Sequence, residues 1–358
     1  MKAWQMFSPD DGLRLVEVPD PSEAPVRGGG VVLDVLAAHV PAYTDVLVAG
    51  GRGGFPTPIV LGPGGIGRVR AVADDVFGVR PGDVVVVDGL FRTGRAEDPE
   101  EAILGWTGLG GDRPTPTTDR VRDVWRDGTF AQRAVLPERC LVALPGAAGH
   151  DPVRLAFLPW LAIAGEAVER GGVAAGQSVA VVGATGSLGT AALLVALSRG
   201  AGTVVAAGRD RAVLAELAAL DPRVRTVALT GSREVDGPAL RAAAGPVDVV
   251  VDALGAVPHA EATMSGYDAV RTDGTWVLVG GVRQDLPIPY GQFMHRRLTL
   301  RGSWMARPAT TTALWRSIRA GVLDLSGLRP QVVDLADPGA ALRVAAATGG
   351  PSYAVLVP

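Results

Sequence analysis

The chain contains a single lysine, Lys2, among its 358 residues. A Schiff-base reaction and a lysine-dependent phosphate loop both need a lysine within the site, so the sequence excludes them in practice. It also contains a single cysteine, Cys140, which excludes an internal disulfide and every multi-cysteine metal site. We therefore expect a protein of a reducing compartment, and the cytoplasm is the simplest location.

Long apolar runs and strong net charge are also missing. No apolar run approaches the roughly 20 residues that cross a bilayer, and the N-terminal residues lack the apolar core of a signal peptide. The formal net charge is only −3, which gives no electrostatic reason to expect nucleic acid or an anionic membrane as a partner. These absences favour a small-molecule substrate.

Two patterns of apolar residues divide the chain. Up to about residue 145, short runs such as "GGVVLDVLAAHV" and "GGIGRVRAV" alternate every two residues between Gly/Pro turns, which predicts a β-rich domain with few helices. From about residue 151, strand-length apolar runs alternate with helix-length segments. This second pattern predicts a doubly wound parallel sheet, so the fold class is α/β with two domains.

The stretch "SVAVVGATGSLGTAALLVAL" lies at the start of the second pattern. Gly183, Gly186 and Gly189 follow an apolar strand at three-residue spacing and open a helix. Glycine lets the backbone approach a pyrophosphate closely, and a helix N-terminus supplies free N–H groups. We therefore predict a dinucleotide site formed by Gly183, Ala184, Thr185, Gly186, Ser187 and Leu188; the alternative is a tight turn that binds nothing.

The end of the next strand, "TVVAAGRDR", indicates which dinucleotide binds. An acidic residue at this point would bind the ribose 2′-hydroxyl of NAD, whereas a small residue followed by arginine suits the 2′-phosphate of NADP. Gly208 and Arg209 occupy the point, so the sequence predicts NADPH. Two alternatives stay open: Asp210 serves NAD if the loop is shifted by two residues, or Arg209 and its neighbours only cap the next helix.

Together with these features, the motifs "IVLGPGGIGRVRAV", "VRPGDVVVV", "VVGATGSLG" and "LTLRGSWM" occur in the order found in one known family. The sequence resembles the medium-chain dehydrogenase/reductase superfamily over nearly its whole length, and within it the zinc-free, quinone-oxidoreductase-like branch. The resemblance implies a GroES-like catalytic domain over 1–145, completed by 300–358, and a Rossmann domain over 146–299. It also implies a homodimer paired through the last strand of the cofactor sheet, at about Leu298 to Ser303.

The resemblance assigns further residues to the coenzyme site and implies that no metal is bound. Gly255, Gly280 and Gly281 end strands where relatives approach the nicotinamide and its ribose. Zinc-dependent relatives carry ligands at positions that align with Ala42, Pro63, Gly64 and the neighbourhood of Pro159, and none of these residues binds zinc. We therefore expect no metal.

Without zinc, another group must supply a proton or a hydrogen bond when hydride reaches the substrate. Thr44 aligns with a hydroxyl that relays protons in relatives, and Tyr43 stands next to it. The sequence predicts that Tyr43 or Thr44 polarises the substrate oxygen; the alternative is that both residues are purely structural.

Three functions fit these expectations. The first is a zinc-independent NADPH-dependent oxidoreductase that transfers a hydride to a carbonyl or to a conjugated enone or quinone. The second is a biosynthetic imine or iminium reductase, which has a similar proton demand. The third is a non-catalytic NADPH-binding protein, because the usual catalytic ligands are missing.

Overall fold

The computed structural model describes residues 1–8, 10–51, 56–94, 97, 99–106 and 115–358. The strands, in chain order, are β1 (Lys2–Met6), β2 (Leu13–Glu17), β3 (Gly30–Val40), β4 (Ile59–Val60), β5 (Gly64–Val72), β6 (Val84–Asp88), β7 (Leu90–Arg92), β8 (Glu101–Ile103), β9 (Arg133–Pro137), β10 (Leu141–Ala143), β11 (Ser178–Val182), β12 (Thr203–Gly208), β13 (Val224–Ala228), β14 (Val247–Asp252), β15 (Val270–Leu278), β16 (Thr299–Gly302), β17 (Arg329–Asp334) and β18 (Ser352–Val357).

The α-helices are α1 (Thr44–Val46), α2 (Pro116–Val124), α3 (Pro152–Leu155), α4 (Leu158–Arg170), α5 (Ser187–Ser198), α6 (Arg211–Leu220), α7 (Arg233–Ala244), α8 (Glu261–Ala269), α9 (Tyr290–His295), α10 (Pro308–Arg319) and α11 (Pro338–Ala346). The chain divides into two compact units. The first contains 1–159, 329–348 and 353–358, and the second contains 160–328 and 349–352.

The first unit is built on antiparallel sheets. Its largest sheet has the order β10-β6-β5-β3-β18-β17, with β9 also paired to β3, and a second sheet has the order β2-β1-β4. The long central strand β3 is buried along most of its length, because both of its faces and both of its edges are covered. The predicted β-rich domain is therefore confirmed.

Between Phe91 and Asp127 the sequence has no regular apolar pattern, which predicts a long irregular loop with room for a short helix. The structure gives part of this segment regular structure. β7 and β8 form a hairpin in which Phe91 pairs with Ala102, and α2 follows with a capping box made by Thr115 and Thr118. Residues 107–114 of that loop lie outside the described residues. The hairpin was missed because its strands are only three residues long, too short for a clear alternation.

The second unit is a six-stranded parallel sheet in the order β13-β12-β11-β14-β15-β16. Its central strands are uniform runs of valine and alanine with almost no exposed surface, as expected for strands covered on both faces by helices. The order reverses between β11 and β14. In such sheets, ligands bind outside the carboxyl ends of the strands at this reversal. The predicted doubly wound Rossmann-type sheet is thus confirmed.

The boundaries between the two units differ from those that the sequence predicted. The sequence placed the first boundary at 145/146 and the return to the catalytic domain at residue 300, whereas the structure keeps 300–328 in the second unit. The main reason is that β16 extends the parallel sheet beside β15. A further reason is the buried carboxylate of Glu166 in α4, which accepts hydrogen bonds from Thr310 Oγ1 (2.6 Å) and Arg307 Nε (2.8 Å) around the start of α10.

Among the residues that the structure describes, no helix has both the length and the apolar character needed to cross a membrane.

Candidate functional site

Two positions of the glycine turn must be glycine, because a Cβ atom at either would collide with neighbouring backbone atoms. Gly183 has a φ of 88°, and a Cβ atom there would lie 2.8 Å from the Leu254 nitrogen. A Cβ on Gly189 would lie 2.2 Å from the Gly183 carbonyl oxygen. The first glycine therefore permits the turn, and the last permits α5 to pack closely on the end of β11.

The middle glycine leaves space for a ligand. Gly186 is the N-cap of α5, and within the described chain no side chain caps this helix. A Cβ on Gly186 would meet only the Gly183 carbonyl oxygen, at 3.7 Å. The N–H groups of the first turn, at Ser187 and Leu188, belong to a twelve-residue helix whose dipole favours an anion. This geometry fits a pyrophosphate, as the sequence predicted.

The turn is also fixed to the neighbouring strand. The N–H groups of Gly183 and Ala184 both donate to the Ala207 carbonyl oxygen, at 2.9 and 2.8 Å. Thr185 follows, and its side chain lies against Gly208 at the end of β12. The structure therefore brings together the residues that the sequence assigned to the pyrophosphate and those it assigned to the adenosine ribose.

Asp210 and Arg209 have different surroundings. Asp210 is the N-cap of α6, and its Oδ1 accepts hydrogen bonds from the N–H groups of Ala212 (2.9 Å) and Val213 (3.1 Å). A carboxylate at an N-cap is held there by these bonds and by the helix dipole. Arg209 is exposed and forms no ion pair with any described residue. Its guanidinium is available for an anion, whereas the Asp210 carboxylate already has a structural role.

The other strand ends assigned to the coenzyme also lie side by side. The Gly280 N–H donates to the Asp252 carbonyl oxygen (2.9 Å), and the Gly281 N–H donates to the Leu254 carbonyl oxygen (2.8 Å). A Cβ on Gly280 would lie 2.2 Å from that same Leu254 oxygen. Gly255 is exposed and has open space around it. Three of the predicted glycines therefore form one edge with the turn at Gly183.

Sequence reasoning missed Asp252, which lies at the centre of this edge. The carboxyl group is buried, and its Oδ1 accepts a hydrogen bond from the Leu254 N–H (3.0 Å). Burial raises the pKa of Asp252 to about 6. The sequence signal was the aspartate that ends the strand "VDVVVD" directly after three valines.

The two candidate proton donors lie in the first unit and differ in accessibility. The Thr44 side chain is buried, and its hydroxyl donates to the Pro41 carbonyl oxygen at 2.6 Å. Tyr43 is 42% exposed, and its ring packs edge-on against the buried Trp106 with centroids 6.2 Å apart. The hydroxyl proton of Thr44 is therefore engaged within its own turn, whereas Tyr43 packs against Trp106 and is partly exposed to solvent.

His39, in the same segment, does not provide an acid. It is buried between Phe157 and Tyr353, with ring centroids 6.3 and 5.8 Å away. Desolvation by burial lowers the pKa of His39 to about 3. The imidazole is therefore neutral at physiological pH.

The positions that align with zinc ligands are occupied by groups that do not bind metal. A Cβ on Gly64 would lie 3.1 Å from Cγ of Pro159, so two of the positions converge, and both present only carbon atoms there. Ala42 and Pro63 likewise have no ligand atom in their side chains. Within the described ranges, no group of three histidine, cysteine, aspartate or glutamate residues lies close enough to hold a metal ion. These residues do not fit a catalytic zinc.

Two family models match the chain in its two parts. "Alcohol dehydrogenase GroES-like domain" matches residues 28–146, and "Zinc-binding dehydrogenase" matches residues 187–320. The L-galactonate-5-dehydrogenase of Escherichia coli is 33% identical over 84% of this chain and 83% of its own length. A probable zinc-binding alcohol dehydrogenase of Mycobacterium tuberculosis is 28% identical over 95% of this chain and 85% of its own length.

Solved structures share the fold over the whole chain. A putative zinc-binding dehydrogenase from Sinorhizobium meliloti, bound to NADP, has a TM-score of 0.79 at 22% identity and covers 100% of this chain and 99% of its own. A thermostable alcohol dehydrogenase from Pyrobaculum aerophilum has a TM-score of 0.78 at 24% identity with the same coverage.

These matches agree with the fold, which combines a GroES-like domain with a parallel sheet that carries a dinucleotide turn. Together they define a nicotinamide-dependent oxidoreductase. More specifically, the chain belongs to the medium-chain dehydrogenase/reductase superfamily. The resemblance at the superfamily level is therefore confirmed. The predicted zinc-free, quinone-oxidoreductase-like branch stays a prediction, because one matching relative is named as a zinc-type alcohol dehydrogenase-like protein and another as a probable zinc-binding alcohol dehydrogenase.

The buried carboxyl of Asp252 predicts a pH-dependent loss of stability. Its pKa is near 4 when unfolded and about 6 when folded, so between these values the folded state holds the extra proton. Stability therefore falls as pH rises from 4 to 6 and then stays constant. We expect Asp252→Asn to gain about 2 kcal/mol of unfolding free energy relative to the wild type between pH 4 and pH 7.

Asp248, on the same strand, is the control for this measurement. Desolvation raises its pKa, but hydrogen bonds from Ser178 and Arg271 outweigh that effect and lower the pKa below its ordinary value. Its contribution is lost only at acidic pH, so Asp248→Asn should be destabilised by a nearly constant amount above pH 5. Denaturant unfolding from pH 4 to pH 8 gives both differences. A flat difference for Asp252→Asn contradicts the prediction.

Proposed function

We propose that this protein is a zinc-independent, NADPH-dependent oxidoreductase that transfers a hydride to a carbonyl or a conjugated double bond. One observation carries the coenzyme preference. At the end of β12 a glycine is followed by an exposed arginine without an ion-pair partner in the described chain, and Asp210 caps α6. An extra phosphate therefore meets a free guanidinium at this point and no unengaged carboxylate.

The chain's own groups then divide the work. When bound, the nicotinamide supplies the hydride. The N-terminus of α5 would bind the pyrophosphate and Arg209 the 2′-phosphate. The backbone of Gly280 and Gly281 would be within reach of the carboxamide, because these glycines carry no side chain. Tyr43 would donate a hydrogen bond, and then a proton, to the substrate atom that becomes negative.

The absence of zinc is proposed from the donor set. Gly64 and Pro159 leave only carbon where relatives place ligands, so no Lewis acid would polarise the carbonyl. Elemental analysis of protein purified without chelator tests the absence of zinc, and stoichiometric zinc would contradict it.

The compartment is proposed from the single cysteine. A buried free thiol at Cys140 suits a reducing compartment such as the cytoplasm.

The names of the relatives indicate only a broad class of substrate. Matching relatives include a D-xylulose reductase of Aspergillus niger, 27% identical over 78% of this chain, and the L-galactonate-5-dehydrogenase already described. These names favour a ketone or secondary alcohol over an enone or quinone. A screen that follows NADPH absorbance with ketones, enones, quinones and cyclic imines separates them. Turnover of imines alone supports the imine reductase, and no turnover supports a non-catalytic protein.

The coenzyme preference predicts a selective effect of one substitution. Arg209→Ala should raise the dissociation constant of NADPH about tenfold to a hundredfold, because one charge-assisted contact to phosphate is lost. The dissociation constant of NADH should change less than about threefold. Calorimetric titration measures both. Arg241→Ala, in the last turn of α7 at the opposite end of the sheet, is the control. Equal losses for both coenzymes would contradict the assignment.

The proton donor predicts a kinetic difference between neighbours. Tyr43→Phe should slow single-turnover hydride transfer by about a hundredfold with little change in NADPH affinity, since removing a general acid costs roughly 10²–10⁴-fold. Thr44→Val should slow the same step much less, because its hydroxyl already bonds to Pro41. Rapid-mixing absorbance on the substrate found in the screen measures the step. An unchanged rate for Tyr43→Phe would remove it from the mechanism.

The protein is also proposed to be a homodimer. β16 is the edge strand of the six-stranded sheet, all four of its residues are exposed, and Leu300 is an apolar side chain on it. Such an edge invites pairing with a second copy. Leu300→Asp should weaken the dimer at least tenfold by sedimentation equilibrium, while Val332→Asp, on the exposed strand β17, should leave it unchanged. A monomeric wild type would contradict the dimer.

A further inference from the structure

Position 208 must be a glycine because of a side chain that belongs to another segment of the chain. Its φ is outside the left-handed region, so its backbone accepts any L-residue. The crowding comes from the side chain of Thr185. The three atoms nearest to a Cβ on Gly208 all belong to that side chain: Cγ2 at 2.5 Å, Oγ1 at 2.6 Å and Cβ at 3.0 Å. Real Cβ atoms do not tolerate such contacts, so no residue with a side chain fits while Thr185 stays in place.

Thr185 cannot easily move away. The backbone just before it is bonded to the end of β12 through the Ala207 carbonyl oxygen. Its own carbonyl oxygen accepts a hydrogen bond from the Gly350 N–H at 2.7 Å. Rotation about χ1 gives little relief, because a β-branched side chain always directs at least one of its two heavy atoms near the same place. The backbone and the branching of Thr185 together maintain the contact.

The contact has a consequence for coenzyme choice. A carboxylate at the end of this strand is the group that would bind a ribose 2′-hydroxyl, and it would also repel a 2′-phosphate. We propose that Thr185 and Gly208 form a specificity pair, in which the threonine side chain keeps position 208 free of a carboxylate and so withholds the contact that would favour a coenzyme with a free 2′-hydroxyl. The inference rests on the proposed preference for NADPH and adds the residue that enforces it.

A double-mutant cycle tests the pair directly. Gly208→Asp alone should gain less than about threefold in NADH affinity, because its Cβ collides with Thr185 and the carboxylate is misplaced. In Gly208→Asp/Thr185→Ala the two closest atoms are gone, and NADH affinity should rise about tenfold or more beyond the product of the two single changes. Thr185→Ser, which keeps Oγ1 and loses Cγ2, should give an intermediate coupling.

A second cycle needs no coenzyme. Gly208→Ala introduces only the Cβ atom, so it should lower the melting temperature of the free protein, and Thr185→Ala should recover most of that loss in the double variant. Additive effects in this cycle would show that the two residues do not collide and would overturn the pair. This measurement remains decisive even if an aspartate at position 208 prevents folding.

The outcomes separate the inference from the function on which it rests. A wild type that binds NADH more tightly than NADPH refutes the proposed function, and with it the selective role of Thr185. A wild type that prefers NADPH, together with a Gly208→Asp variant that binds NADH as well as the double variant does, refutes only the pair. Strong coupling in both cycles with NADPH preferred supports both.

Discussion

Backbone segments at the carboxyl edge of the six-stranded sheet approach one another too closely to admit a Cβ atom. Gly183, Gly189 and Gly280 would each place that atom within 2.8 Å of a main-chain atom of a neighbouring turn. This constraint aligns the turn after β11 with the turns after β14 and β15, and the hydrogen bonds of Gly280 and Gly281 join the last two. The helix α5 begins at Gly186, where a Cβ atom would meet only the Gly183 carbonyl oxygen, and this geometry fits an anion.

The electrostatics of the two units follow from burial as much as from residue type. Desolvation keeps His39 neutral and raises the pKa of Asp252 to about 6. Glu166 stays charged because the hydrogen bonds from Thr310 and Arg307 outweigh its desolvation and lower its pKa. Only charges with such partners are inexpensive to bury. Arg209 and Tyr43 are exposed to solvent, and the proposed function depends on that accessibility.

Much of the fold was predictable because its signals are local. Valine-rich runs after residue 178, the glycine turn and the alternating strands before residue 145 are each visible within about ten residues, and each became the expected element. The sequence already placed the last strand of the cofactor sheet near residue 300, where β16 lies. It did not show that the segment after this strand, up to residue 328, stays in the second unit. The partners of Glu166 lie about 140 residues away in sequence, beyond any local pattern.

The amino-acid sequence by itself determined the kind of protein: a dinucleotide turn in a parallel sheet, a β-rich partner domain and no residue able to hold zinc at the aligned positions. Those properties depend on residue type and short-range spacing, and both can be read directly from the sequence. The tertiary structure decided which candidates are accessible and which are constrained, because burial and long-range contact depend on segments that meet only after folding. It directed the hydroxyl of Thr44 to Pro41, committed Asp210 to a helix cap, and set the side chain of Thr185 against Gly208.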